Sequence, residues 1–390
     1  MKKLLLILLT FLLLPINIQA KEFEVTADYI ILYNLDEDEI LFEQNSQTKT
    51  SIASLTKIMT AIVAIENIED LNEKVTITYE AYKGMEAYAM AGFNIGKKVS
   101  YLDILYGVLL PSGAEAANML NIALSNKDRS FIDLMNQKAI ELNLENTKFD
   151  NPVGKDSVHN YSCAKDVATL LKYALKNDTF RQIFTSLTHR VDDLNLTLKS
   201  TLINYATNYG FNTDYILGAK SGYTYDAGYC LASIANIHDV NYLLVVIKSD
   251  TNKKYNAVKD SLTIYDYYSS HYSVQEIVNE NDVVVTLPTK YGKVKEVNIK
   301  ANITLKDYLP NEFNKENVVY KYEGIEELTY KIKQNDLLGT ISIVYEDEVL
   351  ATFDIKLDQE VEYYYPFLYL LISLILISAI IVVVKIKKRL

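Results

Sequence analysis

Histidine and cysteine are scarce in this 390-residue chain, at four and two residues. His159, His189, His238 and His271 are scattered, and no His-Glu-x-x-His is present. A zinc peptidase needs clustered imidazole and carboxylate ligands, so that chemistry is excluded and neither a metal nor a cofactor is expected. Gly-x-Ser-x-Gly is missing too, which removes the nucleophile elbow of a Ser-His-Asp hydrolase. There is no basic excess: the formal net charge is -11. Nucleic acid is therefore no partner, because phosphate binding needs a basic footprint. Tryptophan is absent and tyrosine abundant at 31, and no function follows from either. Internal repeats and low-complexity tracts are absent as well.

Long uncharged apolar runs lie at the two ends. The chain opens MKKLLLILLTFLLLPINIQA. Lys2 and Lys3 precede a short apolar stretch, residues 4–14, and Ala20 is a small residue at a cleavage point. This reads as a secretory signal peptide, residues 1–20, with an uncleaved anchor as the alternative. Ile18 is large for its place, so the cleavage position stays open. At the other end, residues 366–384 carry no charge and are long enough to span hydrocarbon. Lys385, Lys387, Lys388 and Arg389 follow directly, in a tail of residues 385–390. The positive-inside rule puts that tail in the cytoplasm, and Tyr363, Tyr364 and Tyr365 suit an interfacial aromatic belt. The expectation is a single-pass plasma-membrane protein whose body stands on the extracytoplasmic, cell-wall side. In an exported chain Cys163 and Cys230 permit one disulfide. A chain with this much core needs no staple, which favours two separate, partly buried thiols.

The middle divides in two. Across residues 21–277 strands and helices mix. "YIILYNLDEDEILFEQN" reads as a hairpin around an acidic turn. Residues 52–65 read as a helix, with Ile52, Leu55, Ile58, Met59, Ile62 and Val63 recurring at three and four. "VSYLDILYGVLL" reads as a helix with a Ser cap and Asp103 at the capping-box position. "SCAKDVATLLKYAL" reads as another, capped by Ser162. "YCLASIANI" and "NYLLVVIKS" read as strands joined at His238 and Asp239. Strands at both ends with helices between predict an α+β layer fold whose first and last strands share a sheet. Residues 278–362 predict a small all-β domain, with strands in "DVVVTLPTKYGKVKEVNIKANITL", "ELTYKIK" and "LGTISIVYEDEVLATFDIKL". That domain holds no catalytic constellation and reads as a spacer or docking module.

Chemistry concentrates in "SIASLTKIMTA". Ser54 and Lys57 are three apart, on one face of a helix. A serine hydroxyl is a poor nucleophile until a base takes its proton. A lysine amine serves if burial and nearby positive charge depress its pKa. Ser-x-x-Lys occurs three times, at Ser46/Lys49, Ser54/Lys57 and Ser162/Lys165. The first lies in a polar loop and the third at a helix start; only Ser54/Lys57 has an apolar setting. Ser112, in "LLPSGAEAANML", falls at a turn after a helix, or is a helix cap. Lys220, Ser221 and Gly222 precede the second hairpin. Glycine there lets a peptide approach the backbone, and a strand edge pairs with extended substrate. The hydroxyl and ammonium suit a terminal carboxylate; the plainer alternative for Lys220 is an exposed edge charge.

Ser-x-x-Lys, then a serine motif, then Lys-Ser/Thr-Gly, in that order, resembles penicillin-binding proteins and serine β-lactamases. "IASLTKIMTA", "LLPSGAEAA", "NTKFDNPVG" and "GAKSGYTYDAGYCLA" resemble the low-molecular-weight penicillin-binding proteins that are serine-type D-alanyl-D-alanine carboxypeptidases. The resemblance implies a penicillin-binding-protein/β-lactamase-like transpeptidase fold, then the small all-β domain and the C-terminal transmembrane helix. It implies peptidoglycan stem peptides ending in D-Ala-D-Ala as substrate, with β-lactams as inhibitors. Ser54 becomes the nucleophile, Lys57 the general base and Ser112 a proton relay. Lys220, Ser221, Gly222 and Thr224 become substrate-binding residues. The backbone N–H groups of Ser54 and Tyr223 become the oxyanion hole. The family's middle motif is usually Ser-x-Asn, whereas this chain has Ser112-Gly113-Ala114. Losing one positioned amide costs on the order of 10- to 1,000-fold in rate. Asn118 lies one helical turn on, about 6 Å further along the axis, and is not expected to replace it. A β-lactamase-like hydrolase and a wall-binding protein with a decayed site remain the alternatives.

Overall fold

The computed structural model describes residues 23–364 and 366–387; the expected signal peptide lies outside them. The chain forms two compact units, Met1–Ser269 and Ser270–Leu390.

The first unit is built on a five-stranded antiparallel sheet in the order β2-β1-β9-β8-β7. Its strands are β1 (Tyr29–Asn34), β2 (Glu39–Gln44), β7 (Ile216–Thr224), β8 (Gly228–Ile237) and β9 (Val240–Ser249). As expected, the first and last parts of this unit share the sheet, with Ile31 opposite Val245. The β8–β9 turn places His238 and Asp239 at φ 52 and 65, the left-handed pair whose twist suits a two-residue hairpin. Two separate two-stranded ribbons pair β3 (Lys74–Thr76) with β4 (Lys98–Ser100), and β5 (Thr188–Val191) with β6 (Leu196–Lys199).

The central helix, α1 (Thr56–Asn67), is buried from Thr56 through Ala64. A helix buried on every side is a core helix, so its polar residues Thr56, Lys57 and Thr60 need partners inside the protein. Around it pack α3 (Tyr101–Leu109), α4 (Ala114–Leu124), α5 (Phe131–Glu141), α6 (Ala164–Ala174) and α7 (Asp178–Phe184). The short α2 (Tyr79–Tyr82) leans on α4. Ser100 and Asp103 form the expected capping box on α3. The cap of α6 differs: Cys163 Sγ accepts from Asp166 N–H at 3.4 Å. Ser162 instead exchanges backbone hydrogen bonds with Thr50 and meets Thr147 Oγ1 at 2.7 Å. Cys163 and Cys230 are free and both fully buried rather than partly so. Two further helices, α8 (Thr201–Tyr209) and α9 (Asn256–His271), complete this part of the chain.

The second unit holds paired strands: β10 (Tyr272–Val278) with β13 (Leu305–Pro310), and β11 (Val283–Pro288) with β12 (Glu296–Lys300). A meander joins β14 (Val319–Gly324), β15 (Leu337–Tyr345) and β16 (Glu348–Lys356). Ile277, Ile299, Ile341 and Ile355 centre its core. "ELTYKIK" is not a strand: only Leu328 bridges, to Thr289. The chain then turns, with Ile332 N–H donating to Thr329 O and Asp336 N–H to Lys333 O. Beyond lies α10 (Pro366–Lys387), uncharged until Lys385 and about 33 Å long. That length spans a bilayer core.

Candidate active site

Ser54 does not sit in α1 but one turn ahead of it, in a 3-10 turn, Ala53–Leu55. Ser54 and Lys57 still share a face, because side chains three apart eclipse in that geometry. The turn needs help from elsewhere in the chain. Ala53 is held at φ 46, and Gly154, at φ +89, crosses so close that a Cβ there would lie 1.9 Å from Ala53 O. Only glycine permits both the dihedral and the approach. Gly154 is fixed by Asn151, whose Oδ1 accepts from the N–H groups of Val153, Gly154 and Lys155.

Lys57 Nζ donates to Ser54 Oγ at 3.0 Å and to Val153 O at 2.8 Å. The side chain is 1% exposed. Burial lowers its pKa to about 7, with the negative field of Glu115 opposing that fall. An amine so poised is substantially neutral at physiological pH and has a lone pair to accept a proton.

Ser112 occupies the turn between α3 and α4 at φ 66 and is buried. It is not the cap of α4, whose N-cap is Gly113. Gly113 N–H donates to Gly107 O at 2.8 Å, and Ala114 N–H to Ala89 O at 2.7 Å. These bonds lock the turn that presents Ser112.

Lys220, Ser221 and Gly222 lie inside the edge strand β7, ahead of the β8–β9 hairpin as expected. Lys220 is fully buried, so it is no exposed edge charge. Its Nζ donates to Ser221 O at 2.8 Å. Burial and then the charge of Lys57 hold its pKa well below the ordinary lysine value. Gly222 passes the Ser54 backbone so closely that a Cβ would stand 2.9 Å from Ser54 N. Thr224 Oγ1 donates to Asp156 Oδ1 at 2.6 Å.

Ser54, Ser112, Ser221, Gly222, Tyr223 and Thr224 line one open cleft of about 450 Å³. Lys57 and Lys220 are buried and bonded to Ser54 and to the Ser221 carbonyl, respectively. Asn118 is elsewhere: its amide donates to Glu80 O and Ala81 O, at 3.3 and 3.1 Å. Among the cleft residues that escaped the sequence reading are Tyr88, Asp156, Thr201 and Tyr205. Thr201 Oγ1 stands 2.9 Å from Ser221 Oγ. Nothing local in the sequence marks Thr201 except that Ser200 before it caps α8.

This geometry can activate a serine hydroxyl beside the open edge of an antiparallel sheet. Comparisons with known proteins agree. Residues 16–251 match the family described as D-alanyl-D-alanine carboxypeptidase, and residues 272–363 match the C-terminal domain of penicillin-binding protein 5. The D-alanyl-D-alanine carboxypeptidase DacF of Bacillus subtilis is 27% identical over 340 residues, 85% of each chain. The D-alanyl-D-alanine carboxypeptidase of Streptomyces sp. strain K15 is 32% identical over 207 residues, 50% of this chain and 71% of that one. Penicillin-binding protein 5 of Haemophilus influenzae superposes with a TM-score of 0.62 at 19% identity. That match covers 87% of this chain and 98% of that chain. It shows the fold, which is the penicillin-binding-protein transpeptidase fold followed by an all-β domain.

Proposed function

This chain belongs to the D-alanyl-D-alanine carboxypeptidase family, which are serine-type hydrolases, and we propose that Ser54 is its acyl-forming nucleophile. The substrate is a peptidoglycan stem peptide ending in D-Ala-D-Ala. The observation that carries this is the 3.0 Å contact between Ser54 Oγ and the buried Lys57 amine.

In this reading Lys57 takes the Ser54 proton as Oγ attacks the carbonyl of the penultimate D-alanine. The oxyanion is held by the N–H groups of Ser54 and Tyr223, donors fixed before charge develops. Ser112 passes a proton to the leaving amine, and the C–N bond breaks to release D-alanine. Water, deprotonated along the same route, then hydrolyses the Ser54 ester. Lys220 and Ser221, helped by Thr224 once its hydroxyl turns from Asp156, hold the terminal carboxylate, and Gly222 leaves room for the substrate backbone. Penicillin acylates Ser54 because it mimics the D-Ala-D-Ala end. Position 114 contributes a methyl group rather than an amide, and the site works through the remaining donors.

The layout proposed with it is a signal peptide over 1–20, a catalytic body over 21–277 and a β-rich spacer over 278–362. A membrane helix over 366–384 and a cytoplasmic basic tail over 385–390 complete it. The body then faces the cell wall.

The test uses the full chain in detergent with a labelled penicillin and a peptide ending in D-Ala-D-Ala, beside Ser54→Ala. Labelling and D-alanine release should both be present in the parent and vanish in the variant. A parent protein showing neither signal overturns the reading.

A further inference from the structure

Glu115, next to Ala114 at the start of α4, is fully buried. A buried carboxylate is costly unless it is paired. Its Oε1 accepts from Gly92 N–H at 2.8 Å. Its Oε2 is buried and has no hydrogen-bond partner among the described residues. No surface or solubility role fits such a group.

Its surroundings suggest what it does. Gly92 ends a stretch whose residues Ala87, Tyr88 and Ala89 form one wall of the cleft. That stretch is pinned to α4 at two points, Ala89 O by Ala114 N–H and Gly92 N–H by the Glu115 carboxylate. Tyr82, whose hydroxyl donates to Phe93 O, closes the same loop on its far side. The negative charge of Glu115 is also felt at Lys57 and at Tyr82.

We propose that Glu115 is a positioning residue for acyl transfer: it fixes the cleft wall through Gly92 and sets one negative charge against the buried Lys57. This rests on the reading of Lys57 as the base. Glu115 acts through these two partners and touches no reacting atom.

The charged groups that face Lys57 are few. Glu115 comes from α4 and Lys220 from β7. The loop before Gly154 contributes only the neutral carbonyl of Val153. On α5 and α6, Lys138 pairs with Glu66 and Glu141, while Asp166 accepts from Thr147 and Asn146. With Lys220 untouched, the field of Glu115 favours the ammonium form of Lys57. Removing that charge makes the amine lose its proton more readily.

Two variants of the full chain in detergent separate the roles. Glu115→Gln keeps an oxygen for Gly92 and loses the charge. The acid limb of its kcat/KM profile for D-alanine release should move down by about one pH unit, with KM near the parent's. Glu115→Ala loses the tether as well, and its KM should rise about tenfold. A Glu115→Gln limb that stays at the parent's position overturns the charge role. A Glu115→Ala protein with unchanged KM overturns the tether. A parent whose rate depends on Ser54 but shows no limb near neutral pH removes Lys57 as base and takes this inference with it. Glu115→Gln is nearly isosteric, and penicillin labelling of its Ser54 verifies the fold.

Discussion

Gly222 of the edge strand lies against the backbone of Ser54, where an added Cβ would come to 2.9 Å from the Ser54 nitrogen and 3.1 Å from Ala53 Cβ. Neither neighbour is the free end of a flexible side chain, so the strand or the 3-10 turn has to shift. A displacement of about 1 Å at a reacting centre costs on the order of 100-fold. Gly222→Ala should therefore lose about two orders of magnitude in penicillin acylation of Ser54. Its Tm should fall as well, because the Ala53 side chain against which the new methyl group presses is buried in the core. Stopped-flow acylation and thermal unfolding check both halves. Parent-like acylation would show that the strand has slack.

Lys57 gives a signature in stability as well as rate. Its folded pKa is lowered to about 7 from 10.5. The unfolded chain therefore binds more protons between those values, and stability rises with pH across that window. The slope from one such group approaches about 1.4 kcal/mol per pH unit. Lys220, lowered for the same reason, adds in the same direction. Lys57→Met removes one contribution and leaves the other. Denaturant unfolding at pH 7.5 and 9.5 should show a smaller rise for Lys57→Met than for the parent. In activity, kcat/KM of the parent should fall tenfold per unit as pH drops below about 7, where Lys57 becomes protonated. Equal stability slopes in the two proteins would mean that Lys57 is not buried as a neutral amine.

Much of this site was legible in the sequence, for a physical reason. Ser54 and Lys57 stand out as reactive types on an apolar helix, whereas Ser112 and Lys220 stand out only by their place in the three ordered motifs that the chain shares with the family. The hairpin at His238 and Asp239 and the capping box at Ser100 were readable because each depends on neighbours a few residues apart. What stayed hidden depends on distant segments. Asp156 reaches Thr224 across 68 positions, and Thr201 reaches Ser221 across 20. The cap of α6 was misassigned because Ser162 is drawn into pairing with Thr50, which leaves Cys163 at the helix end. "ELTYKIK" alternates like a strand, yet the turns on either side of Lys333 take the chain out of strand pairing after Leu328.

Thr201 bears on substrate affinity rather than chemistry. Its hydroxyl orients Ser221 Oγ at 2.9 Å, and in the proposed mechanism Ser221 meets the terminal carboxylate. Thr201→Val keeps the shape and removes that bond. One neutral hydrogen bond contributes about 1 kcal/mol, so KM should rise about fivefold with kcat little changed. A loss confined to kcat would place Thr201 in proton transfer instead.

Asn118 separates the missing amide from any substitute. Its side chain is spent on the carbonyls of Glu80 and Ala81 at the end of α2. Asn118→Ala should lower stability by about 1 kcal/mol and leave acylation and D-alanine release within about twofold of the parent. A drop of 10-fold or more in either rate would mean that Asn118 reaches the cleft during turnover. It would then be doing what the residue at 114 does not.

Gly154 tests how far Ser54 depends on a distant loop. At φ +89 its Cβ would lie 1.9 Å from Ala53 O and 2.4 Å from Ala53 C. Both contacts are backbone, and the dihedral is one that side chains rarely adopt. Gly154→Ala therefore has to push apart two segments that together fix Ser54 and the Val153 carbonyl holding Lys57. The expected cost is about 3 kcal/mol or more of stability. It comes with loss of penicillin labelling at temperatures where the protein is still folded. The two effects share one cause, so a variant that unfolds early yet labels at the parent's rate would show that the 3-10 turn holds its own shape. That outcome would shift the origin of Ser54's geometry from the loop to α1 and β7.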